Sequence, residues 1–220
     1  MAFVSLNLKK LSAFVALGVF CICFSGLPAR AQAADAKTDA DGAASSVATA
    51  ELGPPIGAVA PHDLSAQTAR GGPVTFKALS GENGIALFFV RSVDWCPYCK
   101  AQASDISARI EDFENRGFNV AFVSYDSVFK QKKFAQARDF NPVLISDQSL
   151  EIINAFGLRN EKHSEGSRFY GIPHPAVFII DRDRKIVAKL YEQDYAVNDK
   201  SYRNRPAVDI ILSAIDAASE

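Results

Sequence analysis

Two cysteines three residues apart carry the chemistry this sequence offers. Cys96, Pro97, Tyr98 and Cys99 follow Trp95 directly, and the 220-residue chain holds 4 cysteines in all. The thiolate is the reactive form of cysteine. A helix N-terminus supplies unpaired backbone N–H groups and the positive end of the dipole, which bring a thiol into roughly the pKa 3.5–7.5 range. Cys96 is expected at such a helix start. Cys99 would then lie one turn further along on the same side, placed to attack a mixed disulfide formed at Cys96, so the pair reads as nucleophile and resolver. Pro97 suits the first helical position, where a missing N–H costs nothing.

Other uses of the pair fit less well. Tetrahedral zinc needs roughly four ligands, and beyond the cysteines only His62, His163, His174 and carboxylates are on offer. A structural disulfide across so short a loop constrains little of the unfolded chain. An inert buried pair sits poorly at a strand-to-helix junction. Neither a metal nor another cofactor is expected.

The elements that position the cysteines are legible as alternating patterns. Residues 85–90 (IALFFV) form an uninterrupted apolar run, as in a central strand covered on both faces. Ala103, Ile106, Ile110 and Phe113 then follow at helical spacing behind the cysteines. Strands are expected at 118–123, 143–145, 176–180 and 185–191, and helices at 128–140, 150–156 and 207–218. Stretches around Val59 and at 74–76, separated by Gly71, Gly72 and Pro73, suggest an N-terminal hairpin. Residues 159–171 read as a surface loop, and Lys130, Lys132 and Lys133 as a solvated helix face. Strands and helices in this order argue for a three-layer α/β sandwich.

The N-terminal segment stands apart. Lys9 and Lys10 precede an apolar run of 14 residues, 11–24, followed by Pro28 and Ala29-Arg30-Ala31-Gln32-Ala33. That order predicts a signal peptide, residues 1–33, cut after Ala31 or Ala33, and export to a bacterial periplasm. The run is short of the roughly 17–25 residues of a spanning helix, so no stable membrane anchor is expected. Cys21 and Cys23 would leave with this segment, as would Lys9, Lys10 and Arg30, turning the remainder mildly acidic. Residues 34–53 have almost no large apolar side chains and predict a flexible linker. One domain is then expected over 54–220, consistent with 48% hydrophobic and 22% charged residues, which exclude collagen-like, coiled-coil and wholly disordered chains. With 24 basic and 25 acidic residues and no long basic run, no nucleic-acid partner is expected.

Trp95-Cys96-Pro97-Tyr98-Cys99 at a strand end, the helix behind it, and the later Gly171-Ile172-Pro173-His174-Pro175-Ala176-Val177-Phe178 together resemble the thioredoxin-like superfamily. The hairpin and the inserted helix and strand are similar to its redoxin branch, which includes the alkyl hydroperoxide reductase/thiol-specific antioxidant (AhpC/TSA) family. The resemblance spans about residue 54 to the C-terminus. It implies a thioredoxin-like three-layer sandwich with an N-terminal β-hairpin extension. It also implies a cis-proline facing the cysteines, for which Pro175 is the matching position, although cis bonds are only about 5–6% of X-Pro bonds otherwise. His174 would lie beside the disulfide, tuning Cys96 or shaping the substrate groove, or serve as a plain turn residue. Trp95, Pro97, Tyr98, His174 and Pro175 are the expected substrate surface.

Peroxiredoxins are similar to this chain in outline, but they carry a Thr three residues before the reactive cysteine and an Arg at the start of the later strand, together holding the peroxide oxygens. Val93 and Pro175 occupy those positions here, leaving Arg91 or Arg168 as stand-ins. The expected function is therefore thiol–disulfide exchange, with protein thiols and disulfides and a dithiol reductant or oxidant as partners. Reduction of hydroperoxides is the alternative. A binding or chaperone module on the same fold is the third reading, and it alone predicts that Cys96→Ser leaves function intact. The acid that moves the resolving thiol's proton in related folds has no counterpart on 85–90, which leaves Asp94 or Glu82.

Overall fold

An apolar run without polar interruption has to be covered on both faces, and β3 (Gly84–Phe89) is buried at every position. It lies between β4 (Phe118–Ser124), parallel to it, and β6 (Ala176–Asp181), antiparallel. Beyond β4 comes β5 (Val143–Ser146), and beyond β6 comes β7 (Ile186–Tyr191). A hairpin of β1 (Ala66–Thr68) and β2 (Pro73–Val74) extends the sheet past β5, giving seven strands in the order β2-β1-β5-β4-β3-β6-β7. The structure is a computed structural model and describes residues 51–219. The expected signal peptide lies outside the described residues, as does the expected linker up to residue 50.

Parallel neighbours need a crossover. Between β3 and β4 it consists of α2 (Pro97–Ser107) and α3 (Ile110–Glu114), and between β4 and β5 it is α4 (Val128–Arg138). Alternation along β3 then builds two cores. Ile85, Leu87 and Phe89 join residues of α1 (Phe76–Leu79) and α5 (Glu151–Ala155), while Ala86 and Phe88 join α2, α3, α4 and α6 (Val208–Ala218). This is the thioredoxin-like three-layer sandwich that the sequence implied. On the cysteine side Phe88 stacks on its cross-strand neighbour Phe122 at 4.7 Å and meets the edge of Phe113 at 6.5 Å. That aromatic floor supports α2.

Three local features differ from expectation. The hairpin uses residues 66–68 as its first arm; Val59 makes a single bridge to Lys185 and is mostly exposed. Phe76 leaves the second arm because Thr75 caps α1, its side chain accepting from the Ala78 N–H. Gly71 and Gly72, with φ of 96° and 72°, make the turn that only glycine adopts freely. The expected single helix behind the cysteines is broken at Arg109, which leaves helical backbone, although Phe113 of α3 still reaches the same core as Ile106 of α2. Finally, packing begins ahead of Pro54. Leu52 is buried, and Lys189 Nζ donates to the Leu52 and Pro54 carbonyls at 3.1 and 3.0 Å while pairing with Glu51 at 2.7 Å.

Truncation of Phe88 tests the aromatic floor. Phe88→Ala is expected to lower the unfolding free energy by about 3–5 kcal/mol in urea denaturation, the usual loss for a fully buried ring. A loss under about 1 kcal/mol would mean that the floor collapses without consequence.

Candidate active site

Parallel strands β3 and β4 end at the same edge of the sheet, and one buried carboxylate ties their exits together. Asp126, just past β4, accepts hydrogen bonds from Ser92 Oγ at 2.8 Å, the Val93 N–H at 2.7 Å and Ser124 Oγ at 2.9 Å. Ser92 Oγ in turn accepts from the N–H groups of Asp94 and Trp95 at 3.0 and 3.2 Å. The loop from β3 to α2 is thereby held at each residue from Ser92 to Trp95. Burial pushes the Asp126 carboxyl above its ordinary pKa, outweighing the donated hydrogen bonds and the nearby Lys130 charge.

That loop delivers Cys96 to the N-cap of α2 in an extended conformation, with Pro97 opening the helix. Cys96 Sγ accepts the Cys99 N–H at 3.3 Å, one of the first-turn donors that a helix leaves unpaired. The two cysteines form a disulfide and are buried, 1% and 0% exposed. Arg205, just ahead of α6, covers Cys99: its Nη2 lies 3.7 Å from Cys99 Sγ. Its Nη1 donates to the carbonyls of Asn204, at 2.7 Å, and Tyr202. Beside it the Arg91 guanidinium stacks 3.9 Å over the Tyr202 ring and 5.1 Å from Trp95.

Three of the five expected substrate residues line cavities, and not the same one. His174 and Pro175 line one of about 310 Å³ together with Arg91, Lys162, His163 and Tyr202. Pro175 immediately precedes β6, whose register pairs Ala176 with Phe89, so it stands at the strand edge from which the cysteine loop departs. The His174 ring meets the edge of Tyr195 at 4.8 Å, and its backbone N–H donates to Leu158 at 2.7 Å. Burial, reinforced by Lys162, His163 and Arg91, lowers the His174 pKa to about 4, so it is neutral at physiological pH. Tyr98 instead lines a second cavity of about 370 Å³ with Gln102, Arg203, Arg205 and Val208. Pro97 is exposed at the helix start. Trp95 Nε1 donates to Tyr125 Oη at 3.0 Å and its ring packs 5.1 Å from Phe169.

Neither acid candidate is the buried one. Asp94 is exposed and pairs with Lys130 at 2.9 Å, and Glu82 precedes β3, at the end of the strand opposite the cysteine loop. Asp126 was missed, although an acid directly after an apolar strand that neighbours β3 was a usable signal. Arg205 was missed because nothing in its aperiodic segment marks it. Of the arginines expected to stand in at the site, Arg91 joins the aromatic stack and Arg168 lies 4.8 Å over Phe169.

Comparison with known proteins fits this geometry. The model of the AhpC/TSA family matches residues 56–189. Peroxiredoxin Bcp of Escherichia coli K12 is 28% identical over 116 residues, 53% of this chain and 72% of Bcp. The crystal structure of peroxidoxin BcpB from Mycobacterium tuberculosis superposes with a TM-score of 0.59 at 22% identity, covering 76% of this chain and 98% of that one. Xanthomonas campestris peroxiredoxin Q gives 0.58 at 24% identity, covering 73% and 94%. The two superpositions establish the shared fold. The sequence matches overturn the expectation of disulfide exchange with partner proteins as the main activity. That expectation gave decisive weight to two side chains, the Thr and Arg absent at Val93 and Pro175, over the wider pattern that this chain shares with proteins named peroxiredoxins.

Two measurements probe the site's electrostatics. Asp126→Ala leaves the Val93 N–H and two hydroxyls without their acceptor, and is expected to cost about 3 kcal/mol in chemical denaturation. His174 has a folded pKa below its unfolded one, so the stability it contributes is present above pH 6.5 and is lost as pH falls toward about 4. His174→Gln should therefore lose less stability than the parent chain between pH 7 and about pH 4.5. Equal losses would show that His174 is not the group that titrates.

Proposed function

The chain belongs to the AhpC/TSA family and is a thiol-dependent oxidoreductase, and from that premise we propose that it is a thiol peroxidase that reduces hydroperoxides through Cys96 and Cys99. The observation that carries this reading is Cys96 at the N-cap of an 11-residue helix, its sulfur receiving the Cys99 N–H and already joined to Cys99. A thiolate there is stabilised by the helix N-terminus and by that N–H.

The cycle balances with these residues and an external reductant. The Cys96 thiolate attacks one peroxide oxygen; an S–O bond forms, the O–O bond breaks, and the departing alkoxide takes a proton to become an alcohol, or water from hydrogen peroxide. Cys96 is left as a sulfenic acid. The Cys99 thiolate then attacks Cys96 Sγ, forming the S–S bond and releasing hydroxide, which is protonated to water. Two electrons have moved from the dithiol to the peroxide. An external thiol reductant restores the pair by exchange. The order of residues in 1–33 supports a further reading, that this chemistry is exported to a bacterial periplasm.

The test is the stopped-flow rate of the reduced Cys99→Ser protein with hydrogen peroxide. The expected rate lies orders of magnitude above that of a free cysteine, with a sulfenic acid accumulating at Cys96 and no reaction in Cys96→Ser. A rate equal to that of a free thiol would overturn the peroxidase reading.

A further inference from the structure

A half-buried guanidinium without a carboxylate partner needs an explanation, and Arg205 is one. Among the described residues no acid forms an ion pair with it, and its Nε is buried without an acceptor. Two carbonyls and the sulfur of Cys99 are what it holds. A disulfide sulfur is a weak acceptor, whereas a thiolate is an anion, and hydrogen bonds to ionised acceptors are about twice as strong. The cation is therefore poorly matched to the oxidised pair and well matched to the reduced one.

We infer that Arg205 is the counter-cation of the Cys99 thiolate, holding the resolving cysteine ionised in the reduced protein and as it leaves when the disulfide is opened at Cys96. The inference rests on the peroxidase reading for the step it serves, but its geometry does not depend on that reading. In resolution, Cys99 enters as a thiolate, so no base has to remove its proton first. In the return step, a thiolate of the external reductant attacks Cys96 Sγ, the S–S bond breaks, and its electron pair leaves on Cys99 beside the guanidinium. The reductant's second thiol then displaces Cys96, and the reductant departs as its own disulfide. A better-stabilised leaving thiolate directs attack to Cys96, the other sulfur.

Arg203 and Asp105 line the same cavity as Arg205 and Tyr98. Arg91, from the β3 exit, repels Arg205, and Glu192, just past β7, attracts it. Burial is the larger influence and lowers the Arg205 pKa to about 10, which still leaves it charged at neutral pH. A purely structural arginine would tether the segment ahead of α6 through the Tyr202 and Asn204 carbonyls and leave the titration of Cys99 unmoved.

That titration is the test. In the reduced protein with Cys21, Cys23 and Cys96 replaced by Ser, ultraviolet absorbance of the Cys99 thiolate is followed against pH, folded and in denaturant, and again with Arg205→Met and Arg205→Lys. The folded parent is expected to ionise at lower pH than the denatured chain. Arg205→Met should cut the thiolate fraction at pH 6 about tenfold, and Arg205→Lys, which keeps the charge, should cut it less. A folded parent in which Cys99 ionises no more readily than in denaturant overturns the proposal even if Arg205→Met fails to fold. So does a folded Arg205→Met protein with an unchanged midpoint. No peroxide is involved, so a slow reaction of Cys96 with peroxide would sink the peroxidase reading while leaving this result standing.

Discussion

Because β3 and β4 run parallel, the segments leaving them emerge side by side, and the Asp126 carboxylate binds the two exits into one piece. The position of Cys96 depends on that tie. Without it the Val93 N–H and the Ser92 hydroxyl would lose their shared acceptor, and the loop would keep only the Ser92 bonds to Asp94 and Trp95 and the outer contacts of Asp94 with Lys130 and of Trp95 with Tyr125. Stability is not the gain. Removing a carboxylate from water costs several kcal/mol, and three charge-assisted hydrogen bonds return roughly that much, so the balance is near zero. What remains is geometric definition, and the upward push that burial gives the Asp126 carboxyl is the sign of its cost.

The same economy of charge runs through the rest of the site. His174 is kept neutral by burial, so the cavity beside Pro175 draws its positive character from Arg91, Lys162 and His163 only to the extent that these are charged and unpaired; Lys162 is paired with Asp199. Arg91 is spread over the faces of Tyr202 and Trp95. Among the described residues, Arg205 is the cation that directs its charge at a reacting sulfur. The helix N-terminus acts on Cys96 and the guanidinium on Cys99, so each sulfur has its own source of stabilisation.

How much of this was legible in the sequence follows from what each feature depends on. The central strand and the dithiol at a helix start could be read because an uninterrupted apolar run and a Cys-Pro-Tyr-Cys junction are local signals. The helix behind them was read as one piece because the spacing from Ala103 to Phe113 stays in phase across the break at Arg109. Val59 misled because a lone β-branched residue between turns looks like a strand, whereas the actual arm, Ala66-Gln67-Thr68, has little strand character. Asp126 and Arg205 are functional only through contacts across 33 and 106 residues of chain, with Val93 and Cys99, which no local pattern encodes. The Thr and Arg are indeed absent, but they are one way of holding a peroxide, and their absence does not decide which oxidant Cys96 meets.

The most direct test is stoichiometric. The fully reduced chain is titrated with an alkyl hydroperoxide in the absence of any reductant, and alcohol, free thiols and the Cys96–Cys99 disulfide are counted. With Cys21 and Cys23 replaced by Ser, one alcohol and one disulfide are predicted for each peroxide consumed, ending when the thiols of Cys96 and Cys99 are gone. Thiols that persist in the presence of excess peroxide, yet are lost at once on mixing with an oxidised protein disulfide, would contradict a peroxidase cycle run by Cys96 and Cys99.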